Sequence, residues 1–142
     1  MQVEEIVFGL LVSALTIAIQ AVITLMLVHA LQKRAHRRVK EHSVPTLLVV
    51  MCGTGVVLTL GHLVQALAWG VLYVMVGAAP ADVAFYLAIE NFTTLGYGDV
   101  LPAHEWRLLG PLTSCNGLLL FGWSTALLYT VLNRAVQTLR LY

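Results

Sequence analysis

The stretch with the most chemistry in it is Thr93-Thr94-Leu95-Gly96-Tyr97-Gly98-Asp99, a polar, glycine-bearing run in a mostly apolar chain. Glycine takes backbone angles closed to other residues, so Gly96 and Gly98 allow successive carbonyls to turn toward one axis. Oxygens arranged in that way can replace the water shell of a dehydrated cation, and the Thr94 hydroxyl adds another oxygen at one end. Acids flank the run. Glu90 is the one acid in the short apolar segment before it, Asp99 closes it, and Tyr86 stands one helical turn ahead of Glu90 on the same face. Two carboxylates brought close do not both ionise readily, so one can stay protonated and bridge to the other.

The elements that must position these residues are apolar. Of the 142 residues, 59% are hydrophobic and 11% charged, against about 45–50% and about 25% in an ordinary globular domain. So few charges cannot cover the surface of a soluble globule, which argues against a soluble enzyme. The net charge of +1 excludes an extended polyanion-binding surface, and no nucleic-acid partner is expected. Cys52 and Cys115 sit inside apolar runs and read as small buried hydrophobes.

Three runs are long enough to cross a bilayer. The first, Ile6 to Leu31, extends about 39 Å at ~1.5 Å per residue. It follows Glu4 and Glu5 rather than a basic segment, so a retained transmembrane helix is expected instead of a cleaved signal. Ser43-Val44-Pro45 reads as the start of the second, which carries Gly53, Gly55, Gly61 and Gly70, small residues that let a neighbouring helix approach. Ala78-Ala79-Pro80 ends it. Asp82 is then placed to cap a short helix to Phe92, too short to span and so a candidate re-entrant segment. The third run begins near Trp106, with Pro111 bending or delaying it. The expected organisation is a peripheral helix at 1–32, a basic loop at 33–43 and a unit at 44–142. Within that unit lie an outer helix at 44–77, a short helix at 82–92, the loop 93–99 and an inner helix at 105–139. Five of the eight basic residues, Lys33, Arg34, Arg37, Arg38 and Lys40, fall in one block, and Arg134 and Arg140 follow the third span. The excess of positive charge places that block and the C-terminus in the cytoplasm and the N-terminus outside.

Non-helical backbone at membrane depth is tolerated only where protein buries it or where it lines water. A short apolar helix, then Thr94-Leu95-Gly96-Tyr97-Gly98-Asp99, then a spanning helix resembles the pore domain of the potassium-channel family, over roughly Thr46 to Tyr142. The chain looks like a small prokaryotic-type member with an additional N-terminal helix. The resemblance implies an all-α membrane protein of three transmembrane helices, a re-entrant pore helix and a selectivity-filter loop, assembled as a homotetramer. It implies passive, selective conduction of K⁺, the permeant ion, with no organic cofactor and no enzymatic step. In the family, carbonyls at the positions of Thr94, Leu95, Gly96 and Tyr97 line the ion sites, with Gly98 completing the filter. Glu90, Asp99 and Tyr86 match residues that brace it. Many relatives carry two adjacent aromatics where this chain has Tyr86-Leu87, a departure that loosens the analogy.

Gly117 falls where the family often has a hinge glycine. In that register Leu118, Phe121 and Thr125 face the cavity, while Leu128, Tyr129 and Leu132 approach the cytoplasmic crossing. The alternative is that Gly117 and Gly122 are packing contacts. Asn116 bonds either a neighbouring helix or the back of the pore helix, His62 reads as a packing residue, and Trp106 as an outer interface anchor. The first span has no arginine ladder, so it is not expected to sense voltage. The basic block offers a surface for anionic inner-leaflet lipid, though topology marking alone also explains it. A non-conducting or regulatory subunit with a vestigial filter is the competing functional reading.

Overall fold

The computed structural model describes residues 2–37 and 44–139. They form α1 (Gln2–Arg37), α2 (Val44–Met75), α3 (Ala81–Phe92), a 3₁₀ turn at His104–Trp106 and α4 (Leu109–Leu139), an all-helical arrangement. Segments Val3–Lys33, Pro45–Met75 and His104–Arg134 are long and apolar enough to cross a membrane. The 12 residues of α3 are not. The all-α membrane fold is thus the expected one, with shifted boundaries. α1 continues past Leu31 through Lys33 to Arg37, and α2 stops at Met75. Arg38 and Lys40 lie outside the described residues, as do the side chains of Arg34 and Arg37.

Polar pairs set the directions of the helices. Glu5 meets Leu108, Thr16 meets Asn116 and Gln20 meets Ser124, so α1 and α4 run parallel. Tyr73 meets Thr113, Trp69 meets Asn116 and His62 meets Ser124, so α2 runs antiparallel to α4. The start of α1 therefore lies at the same end of the bundle as the loop that follows α3. Hydrocarbon gives helices no hydrophobic reason to associate, so packing of small residues and interhelical hydrogen bonds must hold them together. Both are present. A core of Trp69, Tyr73, Leu87, Ala88, Phe92, Leu109 and Leu120 sits where α2, α3 and α4 meet. A Cβ built on Gly70 would lie 3.3 Å from Phe85 Cα, so this glycine sets how closely α3 lies on α2. Gly61 meets Ile23 of α1, whereas Gly53 and Gly55 meet nothing within 4 Å. Cys52 and Cys115 are exposed on the outside of the single chain, not buried as expected.

α2 ends where Gly77 turns left-handed at φ 74, with Ala78 N–H donating to Tyr73 O and Gly77 N–H to Val74 O, a Schellman closure. Pro80, not Asp82, occupies the N-cap of α3. Asp82 lies in the first turn, and no side-chain bond caps the helix. Pro80 has φ −66 and ψ 152, and its carbonyl accepts from Val83 and Ala84. Proline suits this place because the helix start needs no N–H from it. Pro111, in the first turn of α4, is tolerated for the same reason, and the helix begins at Leu109 rather than near Trp106.

A Cβ on Gly117 would overlap the Phe92 carbonyl oxygen and lie 2.9 Å from its carbon, backbone that cannot move aside cheaply. Gly117→Ala is therefore expected to cost about 1–3 kcal/mol through overpacking, with Gly53→Ala neutral or slightly stabilising. Melting of the purified variants checks the contrast, and equal melting temperatures would contradict it.

Candidate functional site

The C-terminus of α3 and the loop after it form one construction. Thr94 N–H donates to Asn91 O (3.0 Å) and Leu95 N–H to Glu90 O (2.9 Å), a second Schellman closure. Its left-handed position is filled by a β-branched residue, Thr94 at φ 60, where glycine is usual. Gly96 (φ 59) and Gly98 (φ 76) are also left-handed, while Leu95 and Tyr97 are not, so handedness alternates along the loop. Such alternation gathers N–H groups on one side. Here that side faces α3, because the Leu95 N–H reaches Glu90 O and the Tyr97 N–H reaches Glu90 Oε1 at 2.8 Å. In a trans peptide the carbonyl points opposite to the following N–H. There is no cis peptide among the described residues, so the Thr94 and Gly96 carbonyls point away from α3. Those two oxygens are left on the side of the loop away from α3.

Glu90 is buried at 2% exposure and spends one carboxylate oxygen on the Tyr97 amide. Asp99 accepts from the Tyr86 hydroxyl (2.9 Å) and from the Val100 amide (3.0 Å). No hydrogen bond joins Glu90 to Asp99 among the described residues. The expected carboxyl–carboxylate bridge is replaced by separate ties to backbone and phenol, because each acid already has a neutral donor at hand. The Tyr86 phenol is pushed up from 10.0 to about 12, chiefly by donating its proton to Asp99, then by desolvation and by the Asp99, Glu90 and Tyr97 charges.

The back of α3 is held by residues that sequence reasoning passed over. Ser114 Oγ donates to Asn91 O (2.7 Å), Asn91 Nδ2 donates to Tyr73 OH (3.1 Å), and Tyr73 OH lies 2.7 Å from Thr113 Oγ1. Thr113 in turn donates to Leu109 O, which makes Tyr73 the donor to Thr113. The available signal was Thr113, Ser114 and Asn116 in an apolar run beside an isolated Asn91. Asn116 bonds neighbouring helices, its Oδ1 accepting from Thr16 Oγ1 (2.9 Å) and Trp69 Nε1 (3.0 Å), and does not reach α3. Glu5, also overlooked, is buried and accepts from the Leu108 N–H at the head of α4. Trp106 packs tilted on Phe8 of α1.

Along α4 the expected positions separate. Leu118 (60% exposed), Thr125 and Tyr129 (65%) line an open face of the chain, and Leu132 borders it. Gly117 and Phe121 do not belong to that face. Gly117 is the contact with Phe92, and Phe121 stacks on His62 (4.5 Å) and Phe92 (5.5 Å).

The neutral phenol of Tyr86 is the form that bonds Asp99. Its contribution is complete below the ordinary value of 10.0 and is lost as pH rises through about 12. Difference absorbance titration of the protein against Tyr86→Phe should show one tyrosinate forming near 12. The same titration on Asp99→Asn should bring it down toward 10.0. A Tyr86 transition indifferent to Asp99→Asn would contradict the bond.

No curated protein and no solved structure matches the chain. A family model described as "Ion channel" matches residues 46–134, which hold α2, α3, the loop and most of α4. With that match covering more than half of the chain, the chain belongs to this ion channel family.

Proposed function

We propose that this ion channel is selective for K⁺ and that four copies assemble about one axis, each contributing the loop Thr94–Gly98 to a shared filter. The observation that carries the reading is the alternating handedness at Thr94, Gly96 and Gly98, with the N–H groups of Leu95 and Tyr97 taken up on the α3 side by Glu90. One loop provides oxygens on one side of an ion only, so dehydrating it on all sides requires further copies, and cyclic symmetry supplies them. Leu95 (54% exposed) and Tyr97 (73%) are the apolar and aromatic side chains such neighbours would cover. The C-terminal end of α3, with its partial negative charge, favours a cation just below the loop.

In this reading transport is passive uniport, with no covalent step. Thr94, Leu95, Gly96 and Tyr97 supply the oxygens. Glu90, Tyr86 and Asp99 hold the loop in its selective shape and tune its inactivation. The open face of α4, with Leu118, Thr125 and Tyr129, lines the cavity, and apolar rings near Leu128 and Leu132 close it by dewetting. The basic block supports a loop end outside and an α4 terminus in the cytoplasm, in the inner or plasma membrane of the cell, where those cations would meet anionic lipid.

Flux of K⁺ against Na⁺ through the purified protein in liposomes tests the reading. Selective K⁺ flux, blocked by Ba²⁺ and abolished by Gly96→Asp, is the expected result. Equal flux of both ions would contradict selectivity, and a folded protein passing neither would favour a silent subunit. Glu90→Ala leaves the Tyr97 amide without its acceptor, and Asp99→Asn weakens the Tyr86 bond, so both should change the rate of inactivation under sustained flux or current. Inactivation unaltered in both variants would remove the bracing role.

A further inference from the structure

Four side chains from three helices form a closed circuit in the middle of the bundle. Gln20 Nε2 of α1 donates to Ser124 Oγ of α4 at 2.9 Å. Ser124 Oγ lies 3.0 Å from His62 Nε2 of α2, and His62 Nδ1 lies 2.8 Å from Gln65 Oε1. Gln65 Nε2 donates to Gln20 Oε1 at 2.9 Å, which closes the ring. The two amides dictate its direction. An amide oxygen only accepts, so His62 Nδ1 carries the proton, His62 Nε2 accepts, and Ser124 is the donor to it. Each member thus gives one hydrogen bond to the next and receives one from the last. Gln20 and Gln65 are fully buried and Ser124 nearly so, while the His62 ring rests on Phe121.

A ring of this kind responds as a unit. Removing one member leaves buried donors and acceptors without partners in a medium that offers no water, so the arrangement is either whole or broken. Its place on α4 gives that property a use. Ser124 stands between Phe121 and Tyr129, next to Thr125 on the open face of α4, which in the proposed pore is where the cavity gives way to the crossing. Thr125 and Thr130 beside it bond only carbonyls of their own helix, Phe121 O and Ala126 O, whereas Ser124 reaches across to α1 and α2. A movement of this part of α4 must break or carry the ring.

We propose that the ring of Gln20, His62, Gln65 and Ser124 is a latch that positions the inner helix, and that it makes α1 part of the gating apparatus. The inference rests on the reading of the chain as a conducting pore. In it these four are positioning residues: none touches the ion, and they act through the placement of α4.

The test records single channels of the full chain in planar bilayers for Ser124→Ala, Gln20→Leu, the double variant and Ser124→Thr. In parallel, spin labels at Leu132→Cys, in a Cys52→Ser/Cys115→Ser background, report distances across the assembly. His62→Phe, which keeps the stack on Phe121 but neither bond, is the second route should Ser124→Ala fold poorly. Each disrupting variant is expected to change the open-to-closed ratio by at least about fivefold, with the K⁺/Na⁺ permeability ratio unaltered. The double variant should change it no further than the stronger single one, Ser124→Thr should restore it, and the Leu132 distances should shift with the disrupting variants. Open probability and distances both unchanged, or effects of Gln20→Leu and Ser124→Ala that simply add, would overturn the latch. A wild-type protein that passes no current would fail the pore reading instead, and the Leu132 distances would then decide the latch alone, a shift upholding it and no shift overturning it.

Discussion

Backbone that leaves a helix at membrane depth has no water to bond, and every N–H and C=O it frees must find a partner or a use. At Thr94–Gly98 the two demands are divided between the two sides of the chain. The N–H groups of Leu95 and Tyr97 go to Glu90, one to its carbonyl and one to its carboxylate. The carbonyls of the same peptides are left facing the other way, unsatisfied by their own chain. An acid buried at 2% exposure would be costly in lipid without a donor. Here the backbone amide is that donor, so the acid and the loop each remove the other's cost.

The rest of the bundle follows from keeping that corner in place. α3 is too short to hold itself, so it is pinned at its end by Ser114 on Asn91 O and along its length by Gly70 under Phe85 and Gly117 under Phe92. Tyr73, Thr113 and Asn91 fix the angle between α2, α3 and α4. α1, which lies outside the region shared with the ion channel family, is tied to α4 at three levels, Glu5 on Leu108, Thr16 on Asn116 and Gln20 on Ser124. It is a structural member of the bundle, not a loose anchor.

The spans, the short helix and the loop after it were legible because each has a local cause: apolar length, a proline and paired glycines. Thr94 as the residue that both ends α3 and begins the loop was not, since its left-handed backbone is imposed by the Schellman closure and not by a side-chain preference. Asp82 misled because an acid ahead of a helix imitates a cap, and Pro80 already held that place. The polar ties were hidden for a different reason. Thr16, Gln20, Gln65 and Ser124 are scattered singly through apolar runs, and only the crossing of three helices shows that they meet. Gly117 looked equally suited to bending and to packing, and the Phe92 carbonyl lying against it favours packing.

As proposed, the selectivity of the loop rests on oxygens spaced for dehydrated K⁺. Its most direct measure is the melting temperature of the purified protein as K⁺ replaces Na⁺ at constant ionic strength. A site that binds one ion stabilises the folded assembly in proportion to the logarithm of that ion's concentration once it exceeds the dissociation constant. A K⁺-selective loop gives a melting temperature that climbs with K⁺ and stays flat with Na⁺. Equal response to the two ions, or none to either, would contradict it.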